Sequence, residues 1–443
     1  MLRRSALSLA GHRVSRSRLI QMPLPRVVII GAGFGGLACA RKLARKPVEV
    51  LILDRNNYHL FTPLLYQVAS SLLNPNDIAQ PVRKIFRGET NVRVRLAEVT
   101  GVDSQTKLVR TSTGEEISYD YLVIAAGSTT NFFGLESAER TALGLKDLPE
   151  AMELRNHILK CLENAAVETD EAERRRLLTV VILGAGPTGV EYAGALSELA
   201  RLVVPKEYPE LVQREVRILL VEATNEVLPS FPTKLGQAAR QELEQRSVQV
   251  RTGAKVEEVE KGLVVLSTGE RIEATTLVWA AGVKPAKLAS TLNVSRSRTG
   301  RIEVDEFLRV KSLEGVFAIG DVASVMQNGH EVPMLSAPAM QEARVVAYNV
   351  FATCRAVPLR RFRYSDRGAM ATIGRNAAVA QVRLLHLDLT GFLGWITWLV
   401  VHVYYLIGFR NRIAVLLGWA WNYLRFDRPV RIIARAKSSD DPT

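Results

Sequence analysis

One unit occurs twice in this chain, and it constrains the fold more than any other feature. Residues 27–30, VVII, form an unbroken apolar run, the pattern of a parallel strand buried on both faces. GAGFGG follows at once at 31–36, then a stretch rich in Ala, Leu, Lys and Arg, then VEVLIL at 48–53, ending on Asp54. The order returns at 180–183, VVIL, with GAGPTG at 184–189, a helical stretch from Val190, and VRILLV at 216–221 ending on Glu222. Residues 111–127, TSTGEEISYDYLVIAAG, and 266–282, LSTGERIEATTLVWAAG, are identical at ten of seventeen positions. The first glycine precedes the AAG glycine by 96 positions in one copy and by 98 in the other. Two modules of matching length share one chain.

A glycine turn between strand and helix has a physical use. Gly31 and Gly184 permit the tight turn, Gly33 and Gly186 let the backbone approach a pyrophosphate, and Gly36 and Gly189 let helix pack on strand. The helix N-terminus adds free N–H groups and a positive partial charge. Asp54 and Glu222, at the ends of the next strands, are placed to hydrogen-bond ribose hydroxyls. One such turn is a weak signal, but two in the full strand–turn–helix–strand–acid context are a strong one. The expected fold is α/β, with two Rossmann-like dinucleotide-binding domains. One holds a resident redox cofactor and the other an exchanging nicotinamide, which points to a flavin enzyme oxidising NAD(P)H.

The expected organisation is an N-terminal extension over 1–25, a first dinucleotide-binding part over 26–146, the inserted second domain over 147–290, the return of the first over 291–375, and a C-terminal region over 376–443. Residues 147–167 read as a connecting helix. GVFAI at 315–319, ending at Gly320 and Asp321, reads as a further buried strand of the first domain. The alternation Val92-Arg93-Val94-Arg95 suggests a small antiparallel hairpin inserted in the module.

Charge narrows the partners. The 443 residues carry a formal +13. Five arginines and no acid lie in 1–25, and 410–443 carries a net +4, which leaves only +4 for the long middle. A nucleic-acid-binding fold spreads bases over its surface, so nucleic acid is not an expected partner. Basic residues beside an apolar stretch suit an anionic membrane surface instead. The three cysteines, Cys39, Cys161 and Cys354, are isolated, and the six histidines are scattered singly. Neither a disulfide framework nor a metal site is expected. Residues 1–25 have the composition of a mitochondrial transit peptide. An unfolded leader, or a start at Met22, accounts for them as well.

The sequence resembles the type II, non-proton-pumping NADH:quinone oxidoreductases over about 26–435. The residues that carry the resemblance are Asn57-Tyr58-His59-Leu60-Phe61-Thr62-Pro63-Leu64-Leu65-Tyr66-Gln67-Val68-Ala69, Gly184 through Glu191, Trp279-Ala280-Ala281-Gly282-Val283 and Ala318-Ile319-Gly320-Asp321. The resemblance implies non-covalent FAD on Gly31, Gly33, Phe34, Gly35, Gly36, Asp54, Arg55, Thr62, Pro63, Ala126, Gly127, Gly320, Asp321 and Ala339. It implies NADH on Gly184, Gly186, Pro187, Thr188, Gly189, Glu222, Ala281 and Gly282. It places Glu191 between nicotinamide and flavin as a catalytic residue. The alternative for Glu191 is a charge that favours the helix N-terminus. For Thr62 and Pro63 the alternative is a loop packed on the core. The family's quinone pattern, A-Q-x-A-x-Q, appears here as Ser336-Ala337-Pro338-Ala339-Met340-Gln341. Gln341 then takes the quinone-facing role, and Arg367 replaces a lysine common in the family.

Residues 391–409 contain no charged side chain. As one helix they just span a bilayer. Lying flat they form a monotopic anchor with the following stretch, where Trp419, Trp421 and Tyr423 accompany Arg412 and Arg425 at headgroup level. A buried hairpin at a dimer interface is the third reading. The expected partners are a membrane quinone, a lipid surface and a second copy of the chain, at the cytoplasmic face of a bacterial inner membrane, or at the mitochondrial inner membrane if 1–25 is a transit peptide. The rivals are a soluble ferredoxin or rubredoxin reductase, for which the apolar stretch has no use, and a non-catalytic redox-sensing membrane protein.

Overall fold

Because residues 27–30 have no polar side, they become the centre of a sheet rather than its edge. In the computed structural model, which describes residues 23–212, 215–260, 262–425 and 430–433, β1 (Arg26–Ile30) leads through a glycine turn into α1 (Phe34–Leu43) and β2 (Glu49–Asp54). β3 (Val92–Leu96) and β4 (Tyr121–Ile124) follow. β1 pairs parallel with β2 and β4, and β3 pairs parallel with β2. Val27, Val28 and Ile29 are fully buried.

The chain then crosses to the second module through β5 (Ser128–Thr130) and the short strand β6 (Leu143–Gly144). Asp147 starts α2 (Leu148–Val167) by accepting from Glu150 N at 3.0 Å. β7 (Thr179–Leu183), α3 (Pro187–Leu202), β8 (Arg217–Val221), β9 (Val248–Arg251) and β10 (Thr276–Trp279) complete the module. β11 (Val283–Pro285) returns antiparallel to β5, and β12 (Val316–Ala318) joins the first sheet beside β4. The strand orders are β12-β4-β1-β2-β3 and β6-β10-β7-β8-β9. The duplication seen in the sequence is thus a duplication of sheet topology.

One strand assignment and three boundaries differ from expectation. Val92–Leu96 is not a hairpin strand. Its alternation is that of an edge strand with one face toward solvent, and it pairs parallel with β2. The antiparallel unit comes after it and has three strands between Val99 and Ser118. The second domain begins before residue 147, because β6 pairs with β10 and Ala138 shares the second module's core with Trp279. It ends before 290, because Leu288 packs in the first module's core. The boundary at 375/376 cuts through one antiparallel sheet, in which β13 (Met370–Gly374) pairs with β14 (Ala377–Val382) and β14 with β15 (Leu387–Thr390).

Between β12 and that sheet lies α4 (Ser336–Cys354), packed along α1. α5 (Gly391–Tyr405) and α6 (Phe409–Arg425) follow β15. α5 stops where Leu406 turns extended and Gly408 adopts φ +92°. Among the described residues no helix is long and apolar enough to cross a membrane, so the single-span reading of 391–409 does not hold. Trp398 of α5 is 2% exposed and shares the largest core with Ile373, Val379 and α3. The opposite face of α5 exposes Phe392, Leu393, Ile396, Val400 and Tyr404. Residues 1–22 of the expected extension lie outside the described residues.

Candidate active site

The two glycine turns match in detail. Gly31 and Gly184 sit at φ +102° and +101°, and a side chain on Gly36 or Gly189 would strike the carbonyl of Gly31 or Gly184 within 2 Å. The acids act on the turns themselves. Asp54 Oδ2 accepts from Ala32 N at 2.6 Å and Oδ1 from Asn56 N at 2.6 Å. Glu222 Oε2 accepts from Ala185 N at 2.7 Å and Oε1 from Thr224 N at 2.9 Å. Each carboxylate ties the end of its strand to the start of its turn, and each oxygen keeps a further lone pair for a ribose hydroxyl. His59 clamps the first turn from the other side. Its Nδ1–H donates to Ala32 O at 2.8 Å, and burial lowers its pKa to about 4, so the ring is neutral at physiological pH.

One cavity of about 2060 Å³ runs from the first turn to the second and on to α5, more than twice the upper end of the ~300–1,000 Å³ usual for one small ligand. Gly31, Gly33, Phe34, Gly35, Asp54, Arg55, Thr62, Pro63, Ala126, Gly127, Gly320, Asp321 and Ala339 line its first-module end. Gly184, Gly186, Pro187, Thr188, Glu222, Ala281 and Gly282 line the second-module end. Gly36 and Gly189 lie beneath the turns and act by packing. The space fits dinucleotides, since a Cβ at Gly33 or Gly186 would meet nothing within 4 Å and would stand where a pyrophosphate approaches. Asp321 is aimed by Ser128 Oγ, which donates to its Oδ2 at 2.5 Å, and by Lys146 Nζ at 3.6 Å. Among the described residues no group of three or more His, Cys, Asp or Glu is arranged to hold a metal ion.

Glu191 lines the cavity between the two ends. Burial pushes its pKa up to about 8, against the Thr372 N–H and the nearby Trp398 indole, which favour the anion. Its carboxyl is therefore protonated at neutral pH. Gln341 is placed differently from expectation. It is not part of the cavity wall, which Ala337 and Met340 form there. Its carboxamide donates to Ser365 O at 2.9 Å and accepts from Ser365 N at 3.0 Å, so it braces the segment before β13. Arg367 does line the cavity, and its guanidinium donates to the Tyr405 hydroxyl at 3.2 Å. At the same end, His402 donates through Nδ1 to Trp398 O at 2.7 Å and stacks on the Trp398 ring at 4.1 Å.

A pyridine nucleotide-disulphide oxidoreductase model matches residues 25–343, and an NDH2 C-terminal domain model matches 367–428. A type II NADH:quinone oxidoreductase, NdhA of Mycobacterium tuberculosis, is 40% identical over 415 residues, covering 90% of this chain and 87% of that protein. This chain belongs to the type II NADH:quinone oxidoreductase family. A second member from the same organism, Ndh, is 38% identical over 413 residues, 90% of this chain and 88% of its own. The structure of NDH2 from Plasmodium falciparum in complex with NADH superposes with a TM-score of 0.84 over 93% of this chain and 100% of that chain, and at 21% identity it speaks for the fold alone.

Among the described residues Cys39, Cys161 and Cys354 form no disulfide. Cys39 lies in the first module's core and Cys161 in a different one, and burial pushes the Cys39 thiol up to about 12. The residues that sequence reasoning missed are His59, Lys146, His402 and Tyr405. His59 stands inside the quoted 57–69 motif, but no spacing rule announces a ring that holds a backbone carbonyl. His402 and Tyr405 lie in the charge-free run, where apolar periodicity hides a polar wall.

Proposed function

We propose that this chain is an FAD-dependent NADH:quinone oxidoreductase that works as a homodimer on a membrane surface and moves no protons across it. The observation that carries this reading is one cavity that joins both glycine turns to one side of α5, a helix that also exposes the apolar Phe392, Leu393 and Ile396. A soluble ferredoxin-type reductase has no use for that face. The chemistry FAD supplies when bound is two-electron transfer between a nicotinamide and a quinone. The turn at 31–36 and Asp321 bind FAD, with Arg55, Thr62, Pro63 and Ala339 at the same end. The turn at 184–189 and Glu222 bind NADH, the relatives' named substrate. The acid at Glu222 selects against a 2′-phosphate. Glu191 holds a proton on its carboxyl oxygen where the two ends meet, ready for a quinone oxygen. Arg367 and Tyr405 orient the acceptor, and Trp398 and His402 exclude water from that end. No Asp, Glu, Lys or Arg lies in the run over 391–409, which supports the absence of pumping.

The surface proposed is the cytoplasmic face of a bacterial inner membrane, or the mitochondrial inner membrane if 1–25 acts as a transit peptide. The test uses purified full-length protein. It should be yellow, bleach with NADH and recover its colour with a short-chain quinone. Bleaching without recovery in any quinone would remove the quinone from the proposal, and colourless protein that takes up no FAD would remove the cofactor.

A further inference from the structure

Asp321 stands on a turn whose own support is not part of the glycine motif. A short helical turn, Gly320–Val322, begins directly after β12, with Gly320 at φ +73°. The first N–H groups of such a turn have no acceptor within it, and a buried one left unpaired is costly. The Gly320 N–H donates to Glu342 Oε2 at 2.6 Å. Glu342 lies in the second turn of α4 and is 1% exposed. Three residues earlier on the same helix, Ala339 lines the cavity, and its Cβ is 3.4 Å from where a Gly320 side chain would begin. The Ala339 carbonyl also lies 3.6 Å from the corresponding point on Gly35 of the first glycine turn. One face of α4 therefore braces both backbone segments that the FAD reading uses.

Carboxylates are rarely buried without a partner. Burial pushes Glu342 up to about 7, against the Gly320 N–H and Arg301, which favour the anion, and with Asp321, which opposes it. Arg301 is itself buried, donates to Val332 O at 2.8 Å and faces Glu331 at 3.6 Å. An acceptor is kept at this position in spite of its desolvation.

We propose that Glu342 is a positioning residue for FAD, acting through the Gly320 N–H to hold the turn that presents Asp321. This rests on the FAD reading above. The claim concerns the acceptor oxygen rather than the charge, so Glu342→Gln keeps the function and Glu342→Ala loses it.

The experiment is FAD titration of flavin-stripped full-length protein, followed by flavin fluorescence, with NADH titration as a control on the second module. Glu342→Ala should weaken FAD binding tenfold or more and leave NADH binding within twofold. Glu342→Gln should bind FAD within threefold of wild type. Asp321→Ala should weaken FAD binding, and adding Glu342→Ala to it should cost little more, because the two act in series. Wild-type FAD affinity in Glu342→Ala, equal loss in Glu342→Gln, or fully additive losses in the double variant each overturn the proposal. Loss of NADH binding in Glu342→Ala also overturns it, because the residue then supports the whole fold. Wild-type protein that takes up no FAD at all defeats the FAD reading itself, a separate outcome.

Discussion

Glu191 couples chemistry to stability. Its pKa is about 4.5 when exposed and about 8 in the folded protein, where burial disfavours the anion. Between those values the folded state holds a proton that the unfolded state has released. Stability therefore falls as pH rises across that window. Glu191→Gln carries no such penalty. Its melting temperature should equal wild type near pH 5 and exceed it by a growing margin toward pH 8, measured by thermal unfolding of the flavin-free protein. In stopped flow, the same variant should keep flavin reduction by NADH and slow reoxidation by quinone by roughly 10²-fold, the usual size of a lost acid–base contribution. Unchanged rates in both phases would leave Glu191 with no part in the reaction. Glu222 yields a different expectation. Glu222→Gln replaces one accepting oxygen with an N–H donor, so either Ala185 N or Thr224 N loses its partner. KM for NADH should rise about tenfold, in line with one lost charge-assisted bond, and the preference over NADPH should narrow. Equal kcat/KM for the two nucleotides in the wild type would defeat the assignment. Gly31, Asp54 and their second-module counterparts were legible in the sequence because a turn geometry demands them. Gln341 was misread because a motif records which residue is present and not which partner its amide chooses.

α5 shows how an element can serve two environments. Its buried side, Gly394 and Trp398, belongs to the core, and its other side exposes an apolar stripe. The hairpin before it adds to that stripe. At the turn from β14 into β15 the chain exposes Leu384, Leu385 and Leu387, with His386 at φ +52° in the reversal. Leu384 and His386 line the same cavity mouth as Val400 and Tyr404. The surface proposed to face lipid therefore has a hairpin tip as well as two helices. Leu385, Leu393 and Leu417 are each more than 60% exposed and lie off the cavity wall. Changing all three to Ser should weaken binding to anionic vesicles at least tenfold, since each buried leucine contributes up to ~1.5–3 kcal/mol. NADH oxidation by ferricyanide should be unaffected. Undiminished vesicle binding would move the contact elsewhere. The hairpin was not legible because three leucines in a short loop have no period to detect, whereas the 19-residue charge-free run stood out.

The two modules and the C-terminal helices share packing across residue 375, with no clean seam there. Trp398, Val379 and Val415 share a core with α2 and α3, and Trp419 Nε1 donates to Gln67 Oε1 at 2.8 Å, tying α6 to the first module. The expected boundary at 375/376 rested on composition, which averages over a stretch. Burial is decided side chain by side chain, and α5 turns Gly394 and Trp398 inward while Leu393 and Val400 are exposed. Deleting 375–443 is therefore expected to yield insoluble protein, from loss of the core. The surface attachment is better tested on the intact chain. Two forces should hold it, apolar burial of the α5 and hairpin stripe and attraction of the basic ends to anionic lipid. Salt screens only the second, with a Debye length of about 3 Å at 1 M. Co-sedimentation with vesicles containing anionic lipid should fall partway on raising salt to 1 M and then level off. In the triple Ser variant the same salt step should release nearly all of the protein. With neutral vesicles, salt should change little in either protein. Complete release of the wild type by salt alone would mean that charge is the whole attachment and that the exposed stripe of α5 meets a second copy of the chain rather than lipid.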